Sequence, residues 1–402
     1  MGVVSPLGNS AAEAYASARA GRSGVRVLDF PFATGLSTPL AATAQLDEAA
    51  HFNSTQLRMM DRFSLFALFA ANQAVEESQR ALAGVDRSRA GVFVGTGMGG
   101  TTTMDEGYKT LYGDDSERIK PFTILMGMHN AAAAWIGIEH RLQGPNMTYS
   151  TACSSAAVAI GEAWLRVASG QLEVAIAGGA EAPLSRGSLM AWCALHTVAQ
   201  MDAQQPSSSC RPFSMNRSGM VLGEGAAMLL IEPWDRARSR GAQIVGEILG
   251  YGLCNDASHI TRPSMEGQSA AMRAALQSAE IGAHEVQAIN AHGTGTQAND
   301  LSETVAIKAV FGARAGEIPI SATKAVHGHL LGAAGALECV LSLQAMRHAV
   351  ALPTMHLQTA DPACDLDYVV NVAREGVAAR TMLSNSFAFG GTNAVLVLGA
   401  GP

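Results

Sequence analysis

Two stretches of this chain are apolar on nearly every side of a helical wheel. They are SSAAVAIGEAWLRVA, from Ser154, and LGAAGALECVLSLQAM, from Leu331. A helix with no polar face has nowhere to meet water, so both must be enclosed by other elements of the fold. Each follows a short β-rich run and a tight turn. Enclosing two such helices needs cover on several sides, which points to a layered α/β architecture rather than a bundle or a barrel.

The remaining sequence fits that requirement. Strands are expected at AGVFVGT, NMTYST, LEVAIAGG and AAMLLIE in the first part, and at VGEILGYG, VQAINA, IPISAT, YVVNVA, TMLSNSF and NAVLVLG in the second. Further helices are expected over 64–82, 130–141, 269–279 and 301–311. The polar, arginine-rich segment WDRARSRGAQ after Pro233 divides the chain into residues 1–240 and 241–402. Each part carries one strand–turn–buried-helix unit, with Cys153 in the first and His329 in the second. A duplicated architecture is compatible with that pattern, though no short repeat is visible.

The chain of 402 residues is 48% hydrophobic and 15% charged, enough apolar material for a large core and a subunit interface. Its net charge of −7 argues against non-specific nucleic-acid binding. Six cysteines without paired spacing read as reduced thiols of a cytoplasmic protein rather than a disulfide framework. No apolar run reaches the roughly 20 residues of a membrane span. The opening MGVVSPLGNS lacks the pattern of a secretory signal.

Three local patterns carry chemistry. In TACSSA, Cys153 occupies the turn from a strand into a buried helix, where free backbone N–H groups and the helix dipole favour a thiolate and can hold an oxyanion. In AHGTGT, His292 follows the strand VQAINA. In SATKAVHGHLLGAAG, His329 follows the strand IPISAT. Both histidines fall at the C-terminal ends of strands, where α/β folds place ligands. A thiol beside two neutral imidazoles suits carbon–carbon bond formation. The thiol takes up an acyl group, and the imidazoles stabilise an enolate formed as carbon dioxide leaves. Lys324 stands near the His329 loop and needs carboxylate partners if buried, for which Asp300, Glu303 and Glu338 are candidates.

Two other readings use parts of the same sequence. His327 and His329 with a cysteine resemble part of a zinc site, but no further ligand stands at suitable spacing, so no metal is expected. GTGMGG, from Gly95 to Gly100, satisfies G-x-G-x-x-G after a strand and so raises a nicotinamide-dependent oxidoreductase as an alternative, although no acidic second strand follows.

Taken together, TACSSA, AHGTGT, TKAVHGHLLGAAGALE, SNSFAFGGTN and RPFSMNRSGMVLGEGA resemble, in order and spacing, the active-site blocks of the elongating β-ketoacyl-[acyl-carrier-protein] synthases, over essentially the whole chain. The resemblance implies a thiolase-like fold, a duplicated five-layer α-β-α-β-α sandwich, usually dimeric. It implies decarboxylative Claisen condensation of an acyl group on Cys153 with malonyl-carrier protein, promoted by His292 and His329. It further implies an oxyanion hole from the N–H groups of Cys153 and Phe389, with Phe389 as a gatekeeper. Thr294 and Thr296 would contact the phosphopantetheine arm, and Met98 would line the acyl pocket. Lys324 with Asp300, Glu303 and Glu338 would form a supporting charged network. No cofactor is implied, since the phosphopantetheine arrives on the carrier protein. That carrier is acidic, which makes Arg58, Arg62 and Arg211 candidates for docking it.

Some positions depart from the family pattern. Ser214, Ser218 and Met220 stand where aspartates and a phenylalanine are common, and Ala388 replaces a glycine. Such changes resemble specialised synthases of nodulation-factor, aryl-polyene and type II polyketide pathways. The start falls within the family's first strand. A catalytic subunit working with a chain-length-factor-like partner remains an alternative. Thiolases and initiating synthases of this fold are disfavoured by the intact GHLLGAAG block.

Overall fold

The computed structural model describes residues 1–114 and 116–402 and contains two large mixed sheets of five strands each. The first holds β1 (Gly2–Val4), β2 (Ala90–Gly95), β3 (Asn146–Tyr149), β4 (Val174–Glu181) and β5 (Gly225–Ile231), in the spatial order β1-β5-β4-β2-β3. The second holds β6 (Gly246–Asn255), β7 (Ala288–Asn290), β8 (Ile320–Ser321), β9 (Thr381–Phe387) and β10 (Thr392–Ala400), in the order β6-β10-β9-β7-β8. Numbered within each half, both orders read 1-5-4-2-3. In both, the first and fourth strands pair antiparallel with the fifth, and the second strand pairs parallel with the third and fourth. The duplication that the sequence only permitted is therefore present strand for strand.

The two largely apolar segments form the central helices, α1 (Ser155–Ala168) and α3 (Ala334–Arg347); between them in sequence lies α2 (Arg186–Ala194). Helices α1 and α3 pack against each other and against strands of both sheets, in one buried cluster that includes Ala159, Ile160, Leu337 and Leu341. A second apolar cluster joins the other face of the first sheet to the helices Arg62–Glu77 and Ala131–His140. A third joins the other face of the second sheet to Met265–Ser278 and Gln297–Phe311. Three apolar seams make five layers, the thiolase-like sandwich. Small residues allow the middle layer to close. A Cβ at Gly335 of α3 would stand 2.8 Å from Ser386 Oγ and 3.2 Å from the Ala157 side chain of α1.

Both central helices begin in the same way. A non-glycine residue takes a left-handed backbone, Ala152 at φ 50° and Leu331 at φ 45°, and a single 3₁₀ turn then leads into the helix. Such conformations cost of order 1–3 kcal/mol and persist where the surroundings enforce them. Here they turn the chain so that Cys153 and His329 stand at the ends of the central layer.

Most expected elements are present with ends shifted by a few residues; the 301–311 helix begins earlier, at Gln297, and the 269–279 helix at Met265. The exception is YVVNVA. Residues 368–373 form no strand beyond an isolated bridge from Val370 to Thr354, and a short strand appears instead at Arg374–Glu375. Val370 and Val372 are exposed, so β-branched composition alone misled there. Among the described residues, no helix is long and apolar enough to cross a membrane.

Candidate active site

Cys153 sits in the 3₁₀ turn Ala152–Ser154 at the head of α1 and is buried. His292 follows β7 and His329 precedes the turn into α3, so both halves contribute. The Cys153 sulfur and a ring nitrogen of each histidine all lie within 4.8 Å of one another. The two imidazole rings stand nearly perpendicular, 82° apart, with centroids separated by 5.5 Å. His327 is outside this group. Its Nε2 faces the Thr323 hydroxyl at 3.0 Å, and burial pushes its pKa down to about 3.

Hydrogen bonds fix how each histidine is protonated. The backbone N–H of Leu331 donates to His329 Nδ1 at 3.1 Å. The Lys324 ammonium lies 3.3 Å from His292 Nδ1. An N–H and an ammonium can only donate, so both Nδ1 atoms accept and each ring carries its proton on Nε2. Burial, and secondarily the Lys324 charge, holds both rings well below the usual histidine pKa, so they are neutral. The Nε2 of His329 is buried without a partner, a donor aimed into the site.

Lys324 is fully buried, ion-paired with Glu338, and donates to the His292 carbonyl at 2.7 Å. Of the candidate carboxylates, only Glu338 pairs with it directly. Glu303 instead accepts the backbone N–H groups of His292 (2.8 Å) and Gly293 (2.9 Å) and the Asn385 amide (3.1 Å), holding the histidine turn in shape. Asp300 accepts from the N–H of Phe213 at 2.8 Å and of Gly295 at 3.2 Å, and its cationic neighbour is Arg217 at 3.7 Å. Direct pairing with Lys324 thus holds for Glu338 alone, while the Asn299 amide, 3.2 Å from Asp300 and 3.4 Å from Glu303, links the other two acids. The reason lies in the helix Gln297–Phe311, which points both acids at the N–H groups of the loop before it. Thr294 and Thr296 stand on that loop with their hydroxyls 2.9 Å apart.

The cysteine differs from the sequence reading in one respect. Burial outweighs the helix terminus and pushes its thiol up to about 11; Lys324 and the backbone N–H groups of Phe389 and Cys153 offset this only partly. The resting group is a thiol. Those two N–H groups lie close enough to the sulfur to favour its negative charge.

The glycine turn after β2 has its donors engaged within the protein. Its backbone N–H groups at Gly97 (2.6 Å) and Met98 (2.9 Å), and the Thr96 hydroxyl (3.1 Å), donate to Glu181, which also accepts from Gly332 at 2.9 Å. This buried carboxylate, pushed up to about 7 by desolvation, ties the turn to the head of α3. Occupied donors leave no dinucleotide cradle. Glu181 and Arg217 were not singled out by sequence. The signal available for Glu181 was an acid ending the otherwise apolar strand VAIAGGAE.

By distance alone the cysteine and two histidines fit a metal site. A buried ammonium 3.3 Å from one ring opposes a second cation, so acyl chemistry suits the trio better. Of the arginines considered for docking, Arg58 is exposed. Arg62 is ion-paired with Glu48 and Glu224, and Arg211 with Asp202.

Comparison with known proteins gives this geometry its family. Residues 1–237 match the model of the β-ketoacyl synthase N-terminal domain, and residues 245–358 that of its C-terminal domain. Nodulation protein E of Rhizobium meliloti is 40% identical over 396 residues, covering 98% of this chain and 96% of that protein. 3-Oxoacyl-[acyl-carrier-protein] synthase 2 of Coxiella burnetii is 40% identical over 404 residues, covering 99% and 96%. Among solved structures, the ishigamide ketosynthase/chain length factor aligns with a TM-score of 0.92 at 32% identity, covering 100% of this chain and 98% of that one. The chain belongs to the β-ketoacyl synthase family and is a condensing acyltransferase of thiolase-like fold.

Proposed function

We propose that the protein condenses an acyl group held on Cys153 with a malonyl unit, both delivered as thioesters on the phosphopantetheine arm of an acyl carrier protein. The observation that carries this reading is the pair of neutral imidazoles, each with an Nε2 proton, beside a thiol approached by two backbone N–H groups.

In the first half-reaction the Cys153 sulfur attacks the acyl thioester carbonyl. The oxyanion is held by the N–H groups of Cys153 and Phe389, and collapse transfers the acyl group as the carrier thiol leaves with the proton. In the second, the malonyl C–C bond breaks, carbon dioxide departs, and the electron pair enters an enolate. Its oxygen accepts hydrogen bonds from His292 and His329. The enolate carbon then attacks the Cys153 thioester, and the tetrahedral adduct expels the Cys153 sulfur, which takes a proton from water to restore the thiol as the β-ketoacyl thioester forms. Neutral donors suit this step because they stabilise the developing charge without protonating the carbanion first. Lys324 and Glu338 act as positioning residues that keep His292 in its accepting tautomer at Nδ1.

Thr294 and Thr296 would meet the phosphopantetheine, Met98 the acyl chain, and Phe389 the acyl group as it enters. Arg58 is the first choice for contact with an acidic carrier. Arg211 and Arg62 would have to exchange their present carboxylate partners. No free cofactor is needed by this chemistry. Six free cysteines accord with action in the cytoplasm. The protein would work as a dimer, with a second copy or with a chain-length-factor-like subunit.

The test is intact-protein mass after incubation with acyl-carrier protein. Wild type gains one acyl group and Cys153→Ala none. A folded wild type that stays unmodified with every donor and with a partner subunit present contradicts the proposal.

A further inference from the structure

Beside the reacting sulfur lies a small apolar cluster separate from the three interlayer seams. It begins at the nucleophile turn. Gly97, next to Met98, lies against Ala152, with a Cβ there 3.9 Å from the Ala152 Cα, and Leu331 stands two residues from His329. An acyl chain on Cys153 needs apolar cover, and this cluster, joined to the nucleophile turn through Gly97 and Leu331, is positioned to supply it.

Within the cluster Trp192 has an unusual set of contacts. It sits on α2 one turn after Ser188, on the same face. Its indole Nε1–H donates to Met98 Sδ at 3.4 Å, and the Ser188 hydroxyl donates to the same sulfur at 3.6 Å. Its ring stacks on Phe389, with centroids 6.3 Å apart and planes 21° apart. One side chain therefore touches both the residue expected to line the acyl pocket and the residue whose N–H faces the thiol. Leu184, Leu189 and Leu222 of the same cluster are buried, whereas Trp192 is half-buried and has room to yield.

We infer that Trp192 is a specificity-determining residue of this site: pinned to Met98 and stacked on Phe389, it closes the apolar space beside Cys153 and restricts the enzyme to short acyl groups. This rests on the condensing role proposed for Cys153. A long chain can enter only by moving the indole, which breaks the N–H···S contact and the stack together. Met98, flexible and polarisable, can adapt on its own; a bicyclic ring cannot.

The experiment is acylation of Cys153 by carrier protein loaded with short, medium and long saturated acyl groups in competition, read by intact mass. Trp192→Ala raises the ratio of long to short acylation by about tenfold or more, the scale of one lost aromatic pair with its hydrogen bond. Trp192→Leu, which keeps apolar cover over α2, moves it in the same direction by less. Trp192→Phe keeps the stack and most of the bulk and stays within about threefold of wild type. An unchanged ranking in folded, acylated Trp192→Ala and Trp192→Leu overturns the inference alone. A wild type that is never acylated overturns it together with the reading beneath it.

Discussion

At Lys324 a single ammonium bears on the protonation of three other groups. Its charge lowers the pKa of Cys153, His292 and His329, in each case second to desolvation. Removing it alone would strand Glu338 in the core, a loss of about 3–5 kcal/mol. The informative variant is therefore Lys324→Met with Glu338→Gln, which removes both charges. We expect it to fold, with the Cys153 alkylation profile displaced to higher pH than in wild type, whose rate climbs toward about pH 11. An unmoved profile would show that Lys324 does not act on the thiol.

The histidines give stability a definite pH dependence. Their folded pKa values lie below the unfolded value near 6.5, so the unfolded chain binds more protons whenever the pH is under that value. Their contribution is complete above about pH 6.5 and declines as the pH falls toward the folded values. Glu181 and Glu338, raised to about 7, act in the opposite sense. The folded protein binds their protons first, so their share of the stability falls as the pH rises from about 4.5 to 7. Denaturant midpoints of His327→Phe across pH 4–8 isolate one histidine. The variant's acid-side loss should be shallower than wild type's, and an identical slope would count against the burial argument. Glu181→Gln tests the cradle directly. One amide oxygen replaces two carboxylate oxygens against three backbone N–H groups, so about 2–3 kcal/mol of stability should be lost in chemical denaturation. No loss would mean the turn holds itself.

The central helices explain what the sequence made readable. Largely apolar character placed α1 and α3 in the middle layer, and the small residues on them are the condition for two helices and two sheets to meet there. Gly335→Leu should cost about 1–3 kcal/mol by overpacking. Gly316→Ala, with open space at its Cβ, should stay within about 0.5 kcal/mol of wild type; equal effects of the two would contradict close packing in the middle layer. Cys153 and His292 were legible because each stands just past the end of a strand. His329 was expected at a strand end too, but the short helix Lys324–His327 separates it from Ile320–Ser321, and only its place before the turn into α3 was readable. The motif blocks then supplied Lys324 and the acids. What escaped was pairing across the halves. Nothing in LEVAIAGGAE says that its last acid will accept from Gly332, more than a hundred residues away, and nothing in RPFSMNRSG pairs Arg217 with Asp300. The thiolate expectation failed for a related reason. A helix terminus is visible in sequence, but the depth at which it is buried is not.

On the scale of the whole molecule, the first sheet ends at β3, whose Met147 is exposed. Also exposed are Ile138 on the helix 131–140 that packs on this strand, Ile124 and Leu125 on the helix 123–127, and Met128 just after it. An open strand edge with exposed apolar side chains around it would suit the subunit association proposed above. Ile138→Glu should convert a dimer to monomer in analytical ultracentrifugation without altering the circular dichroism. A dimer that persists unchanged would place the interface elsewhere. The two halves meet at the thiol, so the whole sandwich must be intact before either half-reaction can proceed. The most direct measurement separates those half-reactions. Acyl-carrier protein is given to wild type, His292→Ala and His329→Ala, malonyl-carrier protein is added, and the mass of the enzyme is followed. The account predicts that all three acquire one acyl group on Cys153 and that only wild type discharges it into a longer β-ketoacyl product. Discharge by the histidine variants at the wild-type rate would contradict the role given to the two imidazoles.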